Sequence, residues 1–89
     1  MNTIRATIEF EKQARKLLSL AEYHKFAQFR MRLRDNCWLG DAVHPHWLRE
    51  MRLDGKRIYF KVEGSTVTFV ALSTKQNQQK VIEKLRKEL

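Results

Sequence analysis

The segment "LREMRLDGKR", residues 48–57, concentrates side chains that bind anions: Arg49, Arg52, Lys56 and Arg57. It reads as a strand, a turn at "DG" and the start of a second strand. Guanidinium groups bind phosphate oxygens through paired hydrogen bonds, whereas like charges on neighbouring strands repel each other. The cluster therefore predicts a phosphate site, and the alternative is an ordinary solvated face of an antiparallel sheet.

Alternation along the strands assigns these side chains to faces of the sheet. Glu50 shares a side with Arg52 on the first strand, and Tyr59 follows Arg57 on the same side of the second. An exposed tyrosine among cations is able to stack on a nucleobase. The predicted basic face comprises Arg52, Arg57 and Lys61, with Lys75 at the end of the last strand and Arg49 and Lys56 at the edges.

Composition agrees with an anionic partner. The chain has 89 residues, enough for one domain with a modest core, and 18 basic against 10 acidic side chains give a net charge of +8. The longest apolar run, "VTFVAL", is far shorter than the ~20 residues of a membrane-spanning helix. The first twelve residues lack the apolar segment of a secretory signal, and a single cysteine excludes an internal disulfide. A cytoplasmic protein with no membrane partner is the expectation.

Hydrophobic periodicity predicts the elements that position the basic cluster. Period-two alternation indicates a first strand near residues 2–10, and spacings of three and four indicate two helices packed as a hairpin. The predicted order is strand, helix, helix, three strands, helix, with the first strand joining the sheet. The helices are predicted at 11–20 and 22–35, a loop at 35–46, a meander of strands from Trp47 to Thr74, and the last helix beyond Thr74.

Metal and cysteine chemistry find little support in the residue spacing. Cys37, His44 and His46 match no compact zinc pattern, and a fourth ligand would have to be His24 on a helix. Cys37 beside Trp38 is more typical of a small buried hydrophobe than of a nucleophile. We therefore expect no metal and no cofactor.

Three motifs resemble the RelE/ParE superfamily of toxins, particularly the addiction-module killer proteins. They are "REMR" at 49–52, "KRIYF" at 56–60 and "TKQNQQKVI" at 74–82, and the opening "IEFEKQARKLLSL" is similar to the family's first strand and helix. The resemblance implies a single α+β, RelE-like domain over residues 1–89, with order βααβββα. It also implies a toxin of a type II toxin–antitoxin system, with a cognate antitoxin as partner.

For the RelE branch, the resemblance further implies a ribosome-dependent endoribonuclease that cleaves mRNA and inhibits translation. Arg57 matches the family's strand arginine, Arg52 a basic residue on the preceding strand, and Lys75 the lysine after the last strand. Metal-free RNA cleavage needs groups that stabilise charge on the phosphate and groups that transfer protons. Glu50 is a candidate proton acceptor, and His46 and His44 are further candidates because an imidazole ordinarily titrates near neutral pH.

The predicted site is completed by side chains for RNA binding rather than catalysis, namely Lys56, Tyr59, Lys61, Arg49 and His46. The chain departs from the family pattern where "KQNQQ" leaves no aromatic or imidazole group after the last strand, and Lys56 replaces an aromatic residue. Two alternatives therefore stay open. One is a ParE-like inhibitor of DNA gyrase, and the other is a non-enzymatic RNA-binding module that reads duplex shape.

Overall fold

The computed structural model describes residues 1–43 and 47–88. Its strands are β1 (Thr3–Ala6), β2 (Asp41–Val43), β3 (Leu48–Leu53), β4 (Lys56–Glu63) and β5 (Thr66–Thr74). Its helices are α1 (Ile8–Leu17), α2 (Leu20–Leu33) and α3 (Gln78–Glu88). The α+β class and the element order predicted from the sequence are confirmed, with β2 as one additional strand inside the predicted loop.

The five strands form one sheet in the order β1-β5-β4-β3-β2. The predicted meander is present as the antiparallel pairs β3–β4 and β4–β5, and the first strand joins it, as predicted. Strand β1 pairs in parallel with β5, so the sheet is mixed rather than wholly antiparallel. Strand β2 pairs with β3 and forms the other edge, close to the basic segment.

The first strand ends earlier than its alternation predicts because a helix cap interrupts it. Thr7 is the N-cap of α1, and its hydroxyl accepts a hydrogen bond from the backbone N–H of Phe10 at 3.1 Å. Phe10 therefore belongs to the helix and is almost fully buried. Alternation predicts that Ile8 and Phe10 belong to the strand, whereas the cap places both residues on the helix.

The predicted helical hairpin is confirmed, and a capping box sets its corner. Ser19 precedes α2 and accepts from the backbone N–H of Glu22 at 3.2 Å, while the Glu22 carboxylate accepts from the backbone N–H of Ser19 at 2.9 Å. This reciprocal pair satisfies two N–H groups that a helix start would leave unpaired. The two helices are therefore distinct even though no glycine or proline separates them.

The main core lies between the α1–α2 hairpin and one face of the sheet. Phe69 on β5 is fully buried, and its ring centroid lies 5.5 Å from that of Phe10, 4.9 Å from that of Phe26 and 5.6 Å from that of Phe60. Ile58 and Val62 of β4 point to the same side as Phe60 and are buried with it. The period-two pattern of "KRIYFKV" thus faces its apolar half toward the hairpin, as the sequence predicts.

Helix α3 covers part of the opposite face. Ile82 and Leu85 pack there against Leu48 and Tyr59 in a smaller apolar cluster. The sequence predicted that this whole face would be basic and exposed, whereas only the part beyond α3 is open. No helix in the described ranges, 1–43 and 47–88, is long and apolar enough to cross a bilayer.

A salt bridge ties the hairpin to the start of β4. The Lys56 ammonium lies 2.6 Å from the Glu22 carboxylate, and only 24% of the lysine side chain and 11% of the glutamate side chain are exposed. The hydrogen bond from Lys56 is the main reason that the pKa of Glu22 lies below its ordinary value of 4.5. The pair therefore contributes stability at pH above 4.5, and this is lost as pH falls through the lowered pKa.

We expect Lys56→Gln to lower the free energy of unfolding by about 1.5–3 kcal/mol at pH 7, because it removes a charge-assisted hydrogen bond from a largely buried carboxylate. The difference from the wild type should shrink as pH falls below 4.5. Urea unfolding at several pH values measures both effects. Lys25→Gln, at an exposed lysine of α2, is the matched control and should stay within ~0.5 kcal/mol of wild type. A Lys56→Gln deficit that does not depend on pH would contradict this account.

Candidate nucleic-acid interface

The open part of the α3-side face carries an arginine pair. Arg52 on β3 and Arg57 on β4 are direct register partners, so alternation places both side chains on the same face. One row further into the sheet, Glu50 is paired with Tyr59 on β4 and with Asp41 on the edge strand β2. The structure therefore brings together three of the four residues predicted as catalytic, at the end of the sheet next to the β3–β4 turn.

Glu50 holds this pair together. Its carboxylate Oε1 accepts a hydrogen bond from Arg57 Nη1 at 2.9 Å and lies 3.8 Å from Arg52 Nε. The glutamate side chain is only 6% exposed, and the arginine side chains are 28% and 62% exposed for Arg57 and Arg52. The carboxylate offsets the repulsion that two arginines on neighbouring strands would otherwise suffer.

The two arginines differ in their freedom. Arg57 is held by a short bond to a buried group and uses one of its five N–H donors there. Arg52 makes two long contacts of 3.8 Å, to Glu50 and to the exposed carboxylate of Asp41. Such contacts contribute little stability. Arg57 is thus a fixed donor, and Arg52 is able to turn toward a bound anion at small cost.

Tyr59 does not have the environment that the sequence predicted. Its ring is fully buried, within the cluster that packs under α3, and its hydroxyl shares a 2.9 Å hydrogen bond with the hydroxyl of Ser73. Burial raises the pKa of Tyr59 above its ordinary value of 10, so the hydroxyl stays protonated at neutral pH. The prediction that this ring stacks on a nucleobase is wrong, because α3 covers the space that a base would occupy.

Lys56 and Arg49 point away from the arginine pair. Alternation along β4 and β3 places both on the hairpin side of the sheet, opposite Arg57. The Lys56 ammonium is engaged by Glu22, and the Arg49 guanidinium donates to the backbone carbonyls of Trp38, Leu39 and Gly40 at 2.8–3.0 Å. Both cations hold the fold together, and their predicted place on the RNA-binding face is corrected.

Lys61 and Lys75 lie at different distances from the pair. Lys61 shares its face of β4 with Arg57 but is four residues away, about 13 Å along a strand, and it pairs with Glu63 at 2.9 Å. Lys75 is exposed in the turn after β5, two residues beyond Ser73, the register partner of Arg57. The turn is fixed because Asn77 Oδ1 accepts from the backbone N–H of Thr74 at 2.7 Å. The backbone of Lys75 is thus nearer to Arg57 than that of Lys61.

The remaining predicted groups are the histidines and the cysteine. His46 and His44 lie outside the described residues. Cys37 is buried and packs in the main core, as expected for a small hydrophobe. Within residues 1–43 and 47–88, no three His, Cys, Asp or Glu side chains are grouped as metal ligands.

The sequence reading missed Asp41 and the loop before it. Asp41 contacts Arg52, but it follows a glycine inside a segment that looked like an irregular loop. A signal was present in the alternation of "DAV", three residues that are too few to predict a strand with period two. The loop is held instead by Arg49, whose role depends on contacts nine to eleven residues away in the chain.

Gly40 lies in this loop and packs closely against the backbone of β3. Its φ is +82°, and a Cβ atom there would lie 2.5 Å from the backbone oxygen of Glu50. We expect Gly40→Ala to destabilise the fold by about 1–3 kcal/mol, because strain in the left-handed region adds to the clash. Gly55→Ala is the matched control, since a Cβ atom at Gly55 meets nothing within 4 Å. Thermal unfolding of both variants measures the difference, and equal melting temperatures would contradict the expectation.

No protein-family model and no curated protein matches the chain. A solved structure of the Escherichia coli toxin RelE, an arginine-to-alanine variant in complex with an antitoxin RelBc peptide, is similar with a TM-score of 0.72. The match covers 90% of this chain and 93% of that chain at 9% sequence identity.

The chain has a RelE-like fold. A second solved structure, the conserved hypothetical protein HP0892 from Helicobacter pylori, matches with a TM-score of 0.52 and 15% identity over 88% of this chain and 99% of that one. The fold implied by the sequence resemblance is thus confirmed. At these identities the likeness concerns the fold, and the chemistry of the arginine pair is a separate question.

Proposed function

We propose that the chain is the toxin of a type II toxin–antitoxin pair and that it inhibits translation by cleaving mRNA on the ribosome. The observation that carries the proposal is the arginine pair on the open sheet face, Arg52 opposite Arg57, with the buried Glu50 carboxylate contacting both. The RelE-like fold supports it. The chain's charge of +8 supports association with an RNA-rich particle.

The proposed reaction is an internal transesterification of the RNA backbone. The 2′-hydroxyl of one nucleotide loses its proton to solvent water as its oxygen forms a bond to the adjacent phosphorus, the bond to the 5′-oxygen of the next nucleotide breaks, and a cyclic phosphate remains. Negative charge builds on the phosphoryl oxygens as the bond forms. Arg57 is fixed in place to donate to these oxygens, and Arg52 turns from Asp41 toward them.

The exposure of each side chain decides which residue is assigned a role in proton transfer. Lys75 is an exposed cation in the turn after β5, and its ammonium is the donor that we assign to the leaving 5′-oxygen. Glu50 is too buried, at 6% side-chain exposure, to reach a bound ribose while it holds Arg57. We therefore assign Glu50 a positioning role, in place of the proton acceptor suggested by the sequence. The proposed reaction uses no metal and no cofactor.

The proposed partners are a cognate antitoxin, the ribosome and its mRNA, and the proposed location is the cytoplasm. An antitoxin peptide is bound in the RelE structure, which supports the first of these. An acidic antitoxin segment would complement the positive charge of this chain. Such a segment would compete with RNA if it covered Arg52 and Arg57.

Induced expression in bacterial cells tests the proposal against its alternatives. Incorporation of labelled methionine should fall before incorporation of labelled thymidine, and the Arg57→Gln variant should leave both nearly unchanged. An early loss of thymidine incorporation with DNA breaks would instead favour a gyrase inhibitor. Normal incorporation of both labels by cells that accumulate the folded protein would contradict the proposal.

A further inference from the structure

The arginine pair and the carboxylates that contact it carry no net charge together. Arg52 and Arg57 contribute two positive charges. Asp41 and Glu50, which contact them, contribute two negative charges. These four groups therefore supply little long-range attraction for a polyanion, and the chain's charge of +8 comes from its other side chains. An RNA strand bound at the pair needs further cations for the phosphates beyond the one being cleaved.

The segment that follows β5 carries a surplus of positive charge on exposed side chains. Between Lys75 and Glu88 there are five basic and two acidic side chains, a surplus of three positive charges. The basic residues are Lys75, Lys80, Lys84, Arg86 and Lys87, and the acidic ones are Glu83 and Glu88, all of them exposed. Lys80, Lys84 and Lys87 are four and three residues apart, so they share one side of α3. We call these three residues the lysine row.

Helix α3 begins beside the arginine pair. Asn77, the residue before the helix, accepts at Oδ1 from the backbone N–H of Thr74 at 2.7 Å. The residue before Thr74 is Ser73, the register partner of Arg57. Lys80 is three residues beyond Asn77, so its backbone lies about 5 Å further along the helix axis. Lys80 is therefore the member of the lysine row nearest to the pair along the chain.

From there α3 crosses the same face of the sheet, away from the pair. Its apolar side packs on Tyr59, which shares this face with Arg57, and its last residue, Glu88, lines a cleft with Lys61 of β4. Lys61 is four residues, about 13 Å, beyond Arg57 on that strand. The lysine row spans about 10 Å of helix, and it leads from the arginine pair along β4.

The lysine row is available to a ligand. Neither Lys80 nor Lys87 has an ion-pair partner within residues 1–43 and 47–88. Lys84 makes one contact, 3.9 Å from the carboxylate of Glu88, and both side chains are more than half exposed. A long, exposed contact of this kind contributes little stability, so phosphate oxygens would replace it at small cost.

The helical hairpin provides comparable cations on the other side of the sheet. Lys12 and Lys16 are exposed and lie four residues apart on α1. Helix α1 packs through Phe10 on the face opposite α3, within the main core. The sheet therefore separates these two lysines from the arginine pair. They serve as a charge-matched control for the lysine row.

We propose that the lysine row of α3 binds phosphates of the RNA strand that continues beyond the nucleotide held by the arginine pair. The identity of the ligand rests on the proposed function. Contacts to phosphates carry no sequence information, so the row positions the strand without selecting its bases. The ligand class is single-stranded RNA that is long enough to reach from the pair onto α3.

The salt dependence of RNA binding tests this proposal. The probe is a short, fluorescently labelled, single-stranded 2′-O-methyl RNA, which cannot be cleaved because its 2′-oxygens are blocked, and binding is measured by fluorescence anisotropy. The double variants Lys80→Gln/Lys87→Gln and Lys12→Gln/Lys16→Gln lower the net charge equally, so a difference between them reports where the charge lies. Both should unfold at the wild-type temperature, because all four side chains are exposed.

We expect Lys80→Gln/Lys87→Gln to bind more weakly than wild type at low salt and to respond less to added salt. Its loss of affinity between about 50 and 200 mM salt should be roughly 7-fold smaller than that of wild type, because two phosphate contacts are missing. Lys12→Gln/Lys16→Gln should follow the salt dependence of wild type. Equal salt dependence of the two double variants would overturn the proposal and leave the proposed function standing.

Cleavage in cell-free translation separates this proposal from the proposed function. Lys80→Gln/Lys87→Gln should need more protein for half-maximal cleavage at a nearly unchanged maximal rate, because the row binds RNA without touching the reacting atoms. If wild type cleaves mRNA but does not bind the free oligonucleotide, this comparison decides, and equal effects of both double variants overturn the proposal. Binding that depends on the row, without cleavage by wild type, would reject the nuclease and keep the row. If wild type neither binds nor cleaves, both proposals fail.

Discussion

Arg57→Gln should lower the rate of mRNA cleavage about 10²- to 10³-fold, the usual cost of removing one fixed donor from a developing oxyanion. The guanidinium of Arg57 is the only one of the pair held by a short bond, 2.9 Å from Glu50 Oε1, so its position does not need to be set when RNA binds. Arg52→Gln should cost less, because Arg52 is more exposed and must reorient. Primer extension after cell-free translation measures both rates.

The Arg57→Gln variant should also be less stable, so its effect on stability must be measured apart from its effect on cleavage. Removing Arg57 leaves the nearly buried Glu50 carboxylate with only the 3.8 Å contact to Arg52, and breaking a buried ion pair costs about 3–5 kcal/mol. The double variant Glu50→Gln/Arg57→Gln removes the buried charge and should be more stable than Arg57→Gln while remaining inactive. Arg15→Gln, an exposed arginine on α1, should keep both activity and stability. Full activity of the double variant would remove Arg57 from the reaction.

Phe69→Ala should strongly destabilise the fold, lowering the free energy of unfolding by about 3–5 kcal/mol. The ring is fully buried and contacts the rings of Phe10, Phe26 and Phe60, so alanine would leave a cavity at the junction of both hairpin helices and the sheet. A domain with ~5–15 kcal/mol of total stability is brought close to unfolding by such a loss. Urea unfolding monitored by circular dichroism measures the change.

Tyr23→Ala is the control for Phe69→Ala. Its ring also contacts a core phenylalanine, at 5.8 Å from Phe26, but is 46% exposed. Deleting it should cost only the aromatic contact, about 0.5–1.5 kcal/mol. If Phe69→Ala were no more harmful than Tyr23→Ala, the aromatic cluster would not be the centre of the core.

The sequence predicted those features that depend on local period. Alternation in "KRIYFKV" separates Ile58, Phe60 and Val62 from Arg57, and the structure has the same separation. The hairpin and the closing helix follow from spacings of three and four. Such patterns work because a side chain's face is fixed by the backbone geometry of its own element.

The other features of the fold and the site could not be predicted from local sequence patterns, because they depend on contacts between distant parts of the chain. Tyr59 is on the predicted face, but the sequence does not say how far α3 extends over it. Lys56 pairs with Glu22, which is 34 residues away, so a side chain that looked like a surface cation is structural. Arg49 was assigned to RNA because no pattern reveals that its donors satisfy the carbonyls of a loop.

The arginine pair is the part of the site that local sequence patterns predict. Strands β3 and β4, which carry Arg52 and Arg57, are joined by a two-residue turn, so the sequence determines the register of the two arginines. Glu50 was recognised as a neighbour, but its role changed once its burial was known. Exposure, which decides whether a group binds a ligand or another side chain, is a property of the assembled layers.

We propose that the arginine pair on the open sheet face cleaves RNA on the ribosome. Mapping mRNA 5′ ends by primer extension, after cell-free translation with wild type, Arg57→Gln and Arg15→Gln, tests it most directly. The account predicts cuts inside translated codons with wild type and with Arg15→Gln, loss of the cuts with Arg57→Gln, and no cuts when ribosomes are omitted. Intact mRNA with wild-type protein, or the same cuts with folded Arg57→Gln, would contradict it.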